Sequence, residues 1–182
     1  QSLGCDFYTG AIHKWLCGPK GTSFLYVKKE KQSSMNPVIY SWGEDGDDPE
    51  KSRFLKDFQW QGTRDMSAFL TIPFTIDYFN KNILPNQDAC RKLNCYTFMN
   101  FKEIFSTKSI IGDKRWIGQM ISYPLPKETN ENIKSILLMD YRIEIPIFKW
   151  KNQTFIRSSI HVYNEKKDID YLMSALKTIC YT

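Results

Sequence analysis

The sequence predicts a mixed fold of the α/β to α+β class, on three observations. Short β-branched and aromatic runs near the start are typical of strands. Apolar residues then recur at three- and four-residue spacing, which indicates helices. Further strand patterns and an amphipathic helix follow. With 182 residues, 42% of them hydrophobic and 15% aromatic, the chain can bury a sizeable core, which excludes a disordered tail and a disulfide-stapled miniprotein.

Two strands with a loop between them are predicted first. Residues 5–8 indicate a strand end, and residues 22–27 indicate a β-branched, aromatic strand. The intervening loop ends at residues 18–21 in a Gly-Pro-Lys-Gly turn, whose two glycines permit backbone geometry that is closed to other residues. Because a loop packed between strands commonly carries chemistry, we expect functional residues here.

Helical patterns come next, after an acidic run at residues 43–50. We interpret that run as a solvated loop because it lacks the oxygen-ligand register of a calcium-binding EF-hand. Thr63 or Ser67 could cap a helix that continues past Pro73, which should kink it. A second helix is predicted at residues 86–105, where apolar residues recur along one side.

Strands are then predicted at residues 117–123, 142–150 and 154–162. The second alternates polar and apolar residues, as a half-buried strand should, and its Pro146 indicates an edge or a strand end. A helix beginning near Lys166 has one apolar face that we expect to pack against the sheet. That face comprises Ile169, Leu172, Met173, Leu176 and Ile179 or Cys180.

These elements divide the chain into three parts. A first segment reaches residue 65, a connecting helix occupies residues 66–80, and a compact α+β unit occupies residues 81–182.

Charge and cysteine content exclude several classes of protein. The net charge of +5 is scattered rather than clustered, which argues against nucleic-acid binding. No apolar run approaches the roughly 20 residues that span a bilayer, so we expect no membrane partner. The five cysteines form an odd count without paired CxxC spacing, which argues against a zinc ribbon or a disulfide framework. A reducing compartment, the cytoplasm, fits best.

Lys14 has the most unusual setting of any charged residue in the chain. It follows His13 and lies among the apolar and aromatic residues Ile12, Trp15 and Leu16. Burying an ammonium group is costly unless it is paired or loses its proton, and lysines in such settings form imines with carbonyl compounds. Taken alone, the pattern also fits a surface lysine whose stem lies on Trp15.

Residues 6–27, which contain the Ile-His-Lys-Trp run and the Gly-Pro-Lys-Gly turn, resemble the cofactor-lysine segment of class V aminotransferases, pyridoxal-phosphate enzymes of fold type I. Residues 58–65 and 155–164 agree with two further motifs in the expected order, and residues 118–126 and 141–146 fit the isopenicillin N epimerase-like branch. The resemblance implies the end of a large cofactor-binding domain, followed by a small α+β domain with an antiparallel sheet and flanking helices.

The resemblance also assigns roles to individual residues. Lys14 would hold pyridoxal 5'-phosphate as a Schiff base and then move a proton at the substrate α-carbon. His13 would contact the cofactor phosphate, and Gly62 with Thr63 would reach the phosphate of the neighbouring subunit, which implies a homodimer. Arg157 would grip the carboxylate of an amino-acid-like substrate. No metal site is implied.

Each assignment has a structural alternative. His13 could be a hydrogen-bonded structural histidine. Thr63 could cap a helix, and Arg157 could be an outward strand arginine in a surface ion pair.

The implied reaction is epimerisation at the α-carbon, with carbon–sulfur lysis as the alternative. Persulfide-forming desulfurases of this class carry a nucleophilic cysteine shortly before the carboxylate arginine, and residues 127–156 contain none.

In this family, the residues that hold the cofactor ring lie upstream of the lysine segment. We therefore expect that an N-terminal half of the enzyme, preceding Gln1, is missing from this chain. A non-catalytic assembly module of a split or truncated enzyme is the remaining alternative.

Overall fold

The structure is a computed structural model in which the described residues are 3–43, 52–59 and 62–181. The chain divides into two compact units, Gln1–Asn80 and Lys81–Thr182. From residue 44 to its end, the acidic run interpreted as a solvated loop lies outside the described residues. Among the described helices, none is long and apolar enough to cross a membrane.

The first unit is built on an antiparallel hairpin. Strand β1 (Phe7–Ala11) pairs with β2 (Ser23–Val27) along their whole length. Aromatic and β-branched side chains favour both strands. Strand β2 matches the strand predicted at residues 22–27, whereas β1 begins and ends later than the strand end predicted at residues 5–8. A 3-10 helix follows at Lys29–Ser34. The unit then continues with the helices α1 (Arg53–Gln59), α2 (Ser67–Leu70) and α3 (Ile72–Tyr78).

Two details of the predicted connecting helix are wrong. Neither Thr63 nor Ser67 caps its start; instead, the Asp65 carboxylate accepts hydrogen bonds from the Ser67 amide at 2.8 Å and the Ser67 hydroxyl at 2.9 Å. Both hydrogen bonds hold the pKa of Asp65 below its usual range, and the bond from the Ser67 amide has the larger effect. Pro73 does not kink a continuous helix, because α2 ends before it and Pro73 lies in the first turn of α3, where its missing N–H needs no partner.

The second unit combines helices with a three-stranded antiparallel sheet. Its elements are α4 (Gln87–Phe105), β3 (Met120–Pro124), α5 (Ile133–Tyr141), β4 (Ile147–Trp150), β5 (Gln153–Ser159) and α6 (Lys166–Tyr181). Strand β5 lies between β3 and β4. Lys151 and Asn152 turn the chain from β4 to β5 with φ of 45° and 60°, the positive values that a tight hairpin requires.

Side chains of β5 alternate between the two faces of this sheet. Ile156 faces the helices and belongs to the buried core. Ser158 shares that face, and its hydroxyl donates a hydrogen bond to the Asn94 side chain of α4 at 2.7 Å. Phe155 and Arg157 therefore lie on the opposite face.

An aromatic cluster fills the centre of the core. Tyr123 of β3 is fully buried, and its ring centroid lies 5.6 Å from Phe98, 6.0 Å from Phe101 and 6.1 Å from Phe105, all on α4. Its hydroxyl donates to the Thr107 carbonyl oxygen at 2.9 Å. Helix α6 adds the apolar stripe expected from the sequence, since Ile169, Leu172, Met173 and Leu176 are all buried.

The connection between β3 and β4 differs from the prediction. Helix α5 was not predicted, and the strand predicted at residues 142–150 begins only at Ile147. Arg142 ends α5 in a left-handed conformation with φ of 56°, and the Ile143 amide donates back to the Leu137 carbonyl oxygen at 2.8 Å. Residues 142–146, which alternate polar and apolar residues, form the end of α5 and the connection to β4. Ile145 of this connection is buried.

Candidate active site

Lys14 lies in a compact turn within the loop that joins β1 to β2. The Cys17 amide donates to the Lys14 carbonyl oxygen at 3.0 Å, and the Gly18 amide donates to the Ile12 carbonyl oxygen at 3.1 Å. Cys17 closes the turn in a left-handed conformation with φ of 57°, which costs a non-glycine residue about 1–2 kcal/mol. Backbone hydrogen bonds therefore fix the chain on both sides of the lysine.

Two buried side chains anchor this turn to the hairpin. Ile12 is 6% exposed and Thr22 is 2% exposed, and the Ile12 amide donates to the Thr22 carbonyl oxygen at 3.1 Å. The Thr22 hydroxyl in turn donates to the Pro19 carbonyl oxygen at 2.8 Å. His13 and Lys14 are exposed. The apolar sequence neighbours of Lys14 therefore do not bury its amine within this unit, and among them Ile12 anchors the turn.

Gly18 permits a close approach inside the turn. A Cβ at this position would lie 2.5 Å from Ile12 Cγ2 and 3.3 Å from both the Ile12 carbonyl oxygen and Thr75 Cγ2. Ile12 is buried and β-branched, so its methyl group has little freedom to rotate away. The turn that carries Lys14 thus depends on glycine at position 18.

The Gly18→Ala variant is expected to lose about 1–3 kcal/mol of unfolding free energy, because the added methyl group overpacks Ile12. Urea denaturation monitored by circular dichroism measures the loss. Gly112→Ala is the matched control, since a Cβ at Gly112 meets nothing within 4 Å. Equal unfolding midpoints for the two variants would contradict the required close packing at Gly18.

The predicted phosphate-binding segment adjoins the end of the same loop. Gly62 has a φ of 102°, which glycine alone adopts readily, and Thr63 is exposed. The neighbouring Arg64 donates to the Gly21 carbonyl oxygen at 3.3 Å, and its guanidinium carbon lies 4.9 Å from the centroid of the Phe69 ring. Sequence reasoning assigned no role to Arg64, because only the fold brings it to Gly21.

A cleft of about 550 Å³ lies beside this contact. Gly21, Gly62 and Arg64 contribute to its lining, together with aromatic side chains of the first unit. His13 and Lys14 are not among its lining residues. The structure therefore brings Gly62 to the end of the lysine loop, but it does not put the Lys14 amine in this cleft.

Arg157 lies on the central strand of the second unit, opposite Ser122 of β3. Its amide donates to the Pro146 carbonyl oxygen at 3.0 Å, and its side chain is half-buried. The buried Nε atom has no hydrogen-bond partner among the described residues. A buried donor without an acceptor costs about 1–3 kcal/mol, so the described residues leave part of this guanidinium unsatisfied.

Burial affects two of the cysteine thiols in the second unit. It raises the pKa of the Cys90 and Cys180 thiols, which keeps them protonated. The described residues contain no group of three side chains that could hold a metal ion. Of the residues that the sequence predicts for the site, Lys14 has an exposed side chain in the first unit and Arg157 has a half-buried side chain in the second.

Several known proteins are similar to this chain. The family model "Aminotransferase class-V" matches residues 1–172. Isopenicillin N epimerase from Amycolatopsis lactamdurans is 28% identical over 98% of this chain and 48% of its own length. L-cysteine desulfhydrase from Arabidopsis thaliana is 24% identical over 97% of this chain and 43% of its own length. The chain thus spans about half the length of the curated relatives it matches.

The fold comparison gives the same result. The apo structure of cysteine desulfurase from Thermococcus onnurineus NA1 superimposes with a TM-score of 0.79 at 20% identity, covering 98% of this chain and 48% of that one. The expected fold, the C-terminal part of a fold type I enzyme with an antiparallel sheet and flanking helices, is confirmed. With its family model matched over nearly all its length, the chain belongs to the class V aminotransferase family.

Proposed function

We propose that this chain supplies the cofactor lysine, Lys14, and the substrate-carboxylate arginine, Arg157, to a pyridoxal-phosphate enzyme. One observation carries the proposal: Lys14 projects from a hydrogen-bonded turn that needs glycine at position 18. Such a turn fixes the backbone of a reactive residue while leaving its side chain accessible, which is what attachment of a cofactor requires. The odd count of five cysteines without paired CxxC spacing favours a reducing compartment, and we infer that the enzyme is cytoplasmic.

The residues present fit this cofactor. The Lys14 side chain is exposed and has no carboxylate within ion-pair distance among the described residues, so its amine is available for imine formation. The exposed hydroxyl of Thr63 and the flexible backbone of Gly62 suit an anionic group such as a phosphate. His13, exposed beside Lys14, offers a further donor.

These side chains would have different roles in the reaction. Pyridoxal phosphate, when bound, supplies an electron sink for negative charge at the substrate α-carbon. Lys14 Nζ takes the proton from that carbon and returns one. His13 would donate to the cofactor phosphate, and Gly62 with Thr63 would bind the phosphate of the cofactor in the neighbouring subunit. Arg157 orients the substrate by donating two parallel hydrogen bonds to its carboxylate.

Further polypeptide would complete the enzyme. Phe7 and Leu25 are exposed on one face of the β1–β2 hairpin, and Tyr8 and Tyr26 are exposed on the other. An isolated two-stranded hairpin is marginally stable, so apolar side chains on both faces call for covering structure. We propose that an N-terminal half and a second copy of the enzyme provide it, as the half-length match to the relatives also suggests.

Two reactions remain candidates at the α-carbon. Epimerisation of an amino-acid-like substrate comes first, since isopenicillin N epimerase is among the relatives. Carbon–sulfur lysis is the second candidate, since L-cysteine desulfhydrase is another relative. Persulfide formation is disfavoured because residues 127–156 contain no cysteine to attack the substrate sulfur.

Product analysis of the full-length protein with pyridoxal phosphate separates these candidates. Epimerase activity would interconvert the stereoisomers of an amino-acid substrate and release no sulfide. Lyase activity on L-cysteine would consume water and release sulfide, ammonia and a keto acid. If a cofactor-loaded protein did neither across a panel of amino acids, the non-catalytic assembly module would replace the enzymatic proposal.

The Arg157→Ala variant is expected to raise KM for carboxylate substrates by an amount equivalent to about 2–4 kcal/mol, because a charged hydrogen-bond donor is lost. Steady-state kinetics measures it. Arg157→Lys keeps the charge but loses the planar two-pronged donor, so it should recover only part of the loss. Arg115→Ala is the control, since Arg115 is exposed and pairs with Asp113. An unchanged KM in Arg157→Ala would remove Arg157 from the substrate site.

A further inference from the structure

A second cleft, of about 680 Å³, lies entirely within the second unit and outside the proposed active-site residues. It is formed by the connection from β3 to α5, the first turn of α5, and the turn end of β4 and β5. Its charged lining residues are Lys127, Lys134, Lys149 and Glu131. Three lysines against one glutamate leave the cleft with an excess of positive charge.

These lysines differ from several others in the same unit. Lys92 and Lys166 each form an ion pair with an aspartate one helical turn away. For Lys127, Lys134 and Lys149, the described residues provide no carboxylate within ion-pair distance. Their ammonium groups are therefore not held in ion pairs by acidic side chains, and a bound anion would supply the opposite charge.

The start of α5 suits the same kind of ligand. Asn132 makes no side-chain cap there, so the first-turn amide of Lys134 lacks an acceptor from it. An oxyanion at this end of the cleft would accept a hydrogen bond from the Lys134 amide and lie at the positive end of the helix dipole while it neutralises the lysines.

The apolar part of the lining narrows the class of ligand. Ile147 lines the cleft and is half-buried, and Phe148 also lines it and is 38% exposed. A free inorganic ion would leave these apolar groups in contact with water, whereas a ligand with an organic body would cover them. We propose that this cleft binds a small organic phosphate through Lys127, Lys134 and Lys149, at a site separate from the residues proposed for catalysis.

Calorimetric titration of the full-length protein tests this proposal, with pyrophosphate as the charge probe and phenyl phosphate as the probe with an apolar body. Both probes should bind. The binding free energy divided by the ligand's charge should be larger for phenyl phosphate than for pyrophosphate. The triple variant Lys127→Gln, Lys134→Gln, Lys149→Gln should weaken pyrophosphate binding about tenfold or more. Glu131→Gln should strengthen it, because a like charge is removed from the ligand's surroundings.

The matched control is the triple variant Lys102→Gln, Lys108→Gln, Lys114→Gln, whose lysines are exposed but do not line the cleft. It keeps the net charge equal to that of the first variant, and its pyrophosphate affinity should stay within about twofold of the parent's. Equal losses in both triple variants, or no binding in the parent, would overturn the proposal. The Lys14→Ala variant should still bind pyrophosphate in this cleft. A wrong assignment of the cofactor lysine would therefore not change the result of this titration.

Discussion

The Lys14→Ala variant of the full-length protein is expected to lose covalent cofactor attachment and at least about 10²–10⁴-fold in kcat. Loss of the amine removes both the group that forms the imine and the group that moves the α-proton, and the proton transfer alone accounts for a factor of this size. Absorbance of the bound cofactor measures the first effect, and turnover measures the second.

Lys20→Ala is the matched control for that variant. Lys20 is an exposed lysine of the same loop, so its removal changes the charge equally without touching the proposed chemistry. The control should keep the cofactor spectrum and turnover of the parent. A Lys14→Ala protein with the parent's spectrum would show that another residue holds the cofactor.

The Phe101→Ala variant is expected to lose about 3–5 kcal/mol of unfolding free energy. Phe101 is fully buried and its ring lies 6.0 Å from that of Tyr123 and 5.7 Å from that of Phe105. Truncation removes the buried area and leaves a cavity that the two remaining rings cannot fill. Denaturant unfolding of the full-length protein measures the change.

Trp116→Ala provides the comparison for an aromatic truncation outside the core. Trp116 is 82% exposed, so its loss should change stability by no more than about 0.5 kcal/mol. A loss in Phe101→Ala as small as in Trp116→Ala would mean that the aromatic cluster is not the centre of the core.

The long helices were predictable because burial imposes a clear period on their sequences. The residues 86–105 and the stripe beginning at Ile169 repeat apolar positions every three or four residues, and α4 and α6 appear there. Helix α5 carries a similar signal in Ile133, Ile136 and Leu137, but it spans only 9 residues. A pattern that short gives few repeats from which to establish a period.

The false strand at residues 142–146 has a physical origin. Alternation of polar and apolar residues is typical of a half-buried strand, but a connection that dips once into the core produces the same pattern. Here Ile145 is buried while Arg142 closes a helix with positive φ. The hydrogen bond from the Ile143 amide to the Leu137 carbonyl oxygen depends on the fold and leaves no signature in the local pattern.

The candidate site was predictable in its residue types and not in its packing. The Gly-Pro-Lys-Gly turn indicated a special loop, and the motif containing Lys14 indicated its chemistry. The left-handed Cys17 and the close approach of Gly18 to Ile12 could not be foreseen, because both depend on how the turn closes. Similarly, alternation along β5 puts Arg157 on the face away from the helices only once the register with β3 and β4 is known.

Chemical trapping identifies the lysine that carries the cofactor. The full-length protein is incubated with pyridoxal phosphate, reduced with borohydride to make any imine permanent, and mapped by peptide mass spectrometry. We expect a single phosphopyridoxyl group on Lys14, with Lys20 unmodified. Modification of a different lysine, or none above the level of a heat-unfolded control, would contradict the assignment of Lys14 as the cofactor lysine.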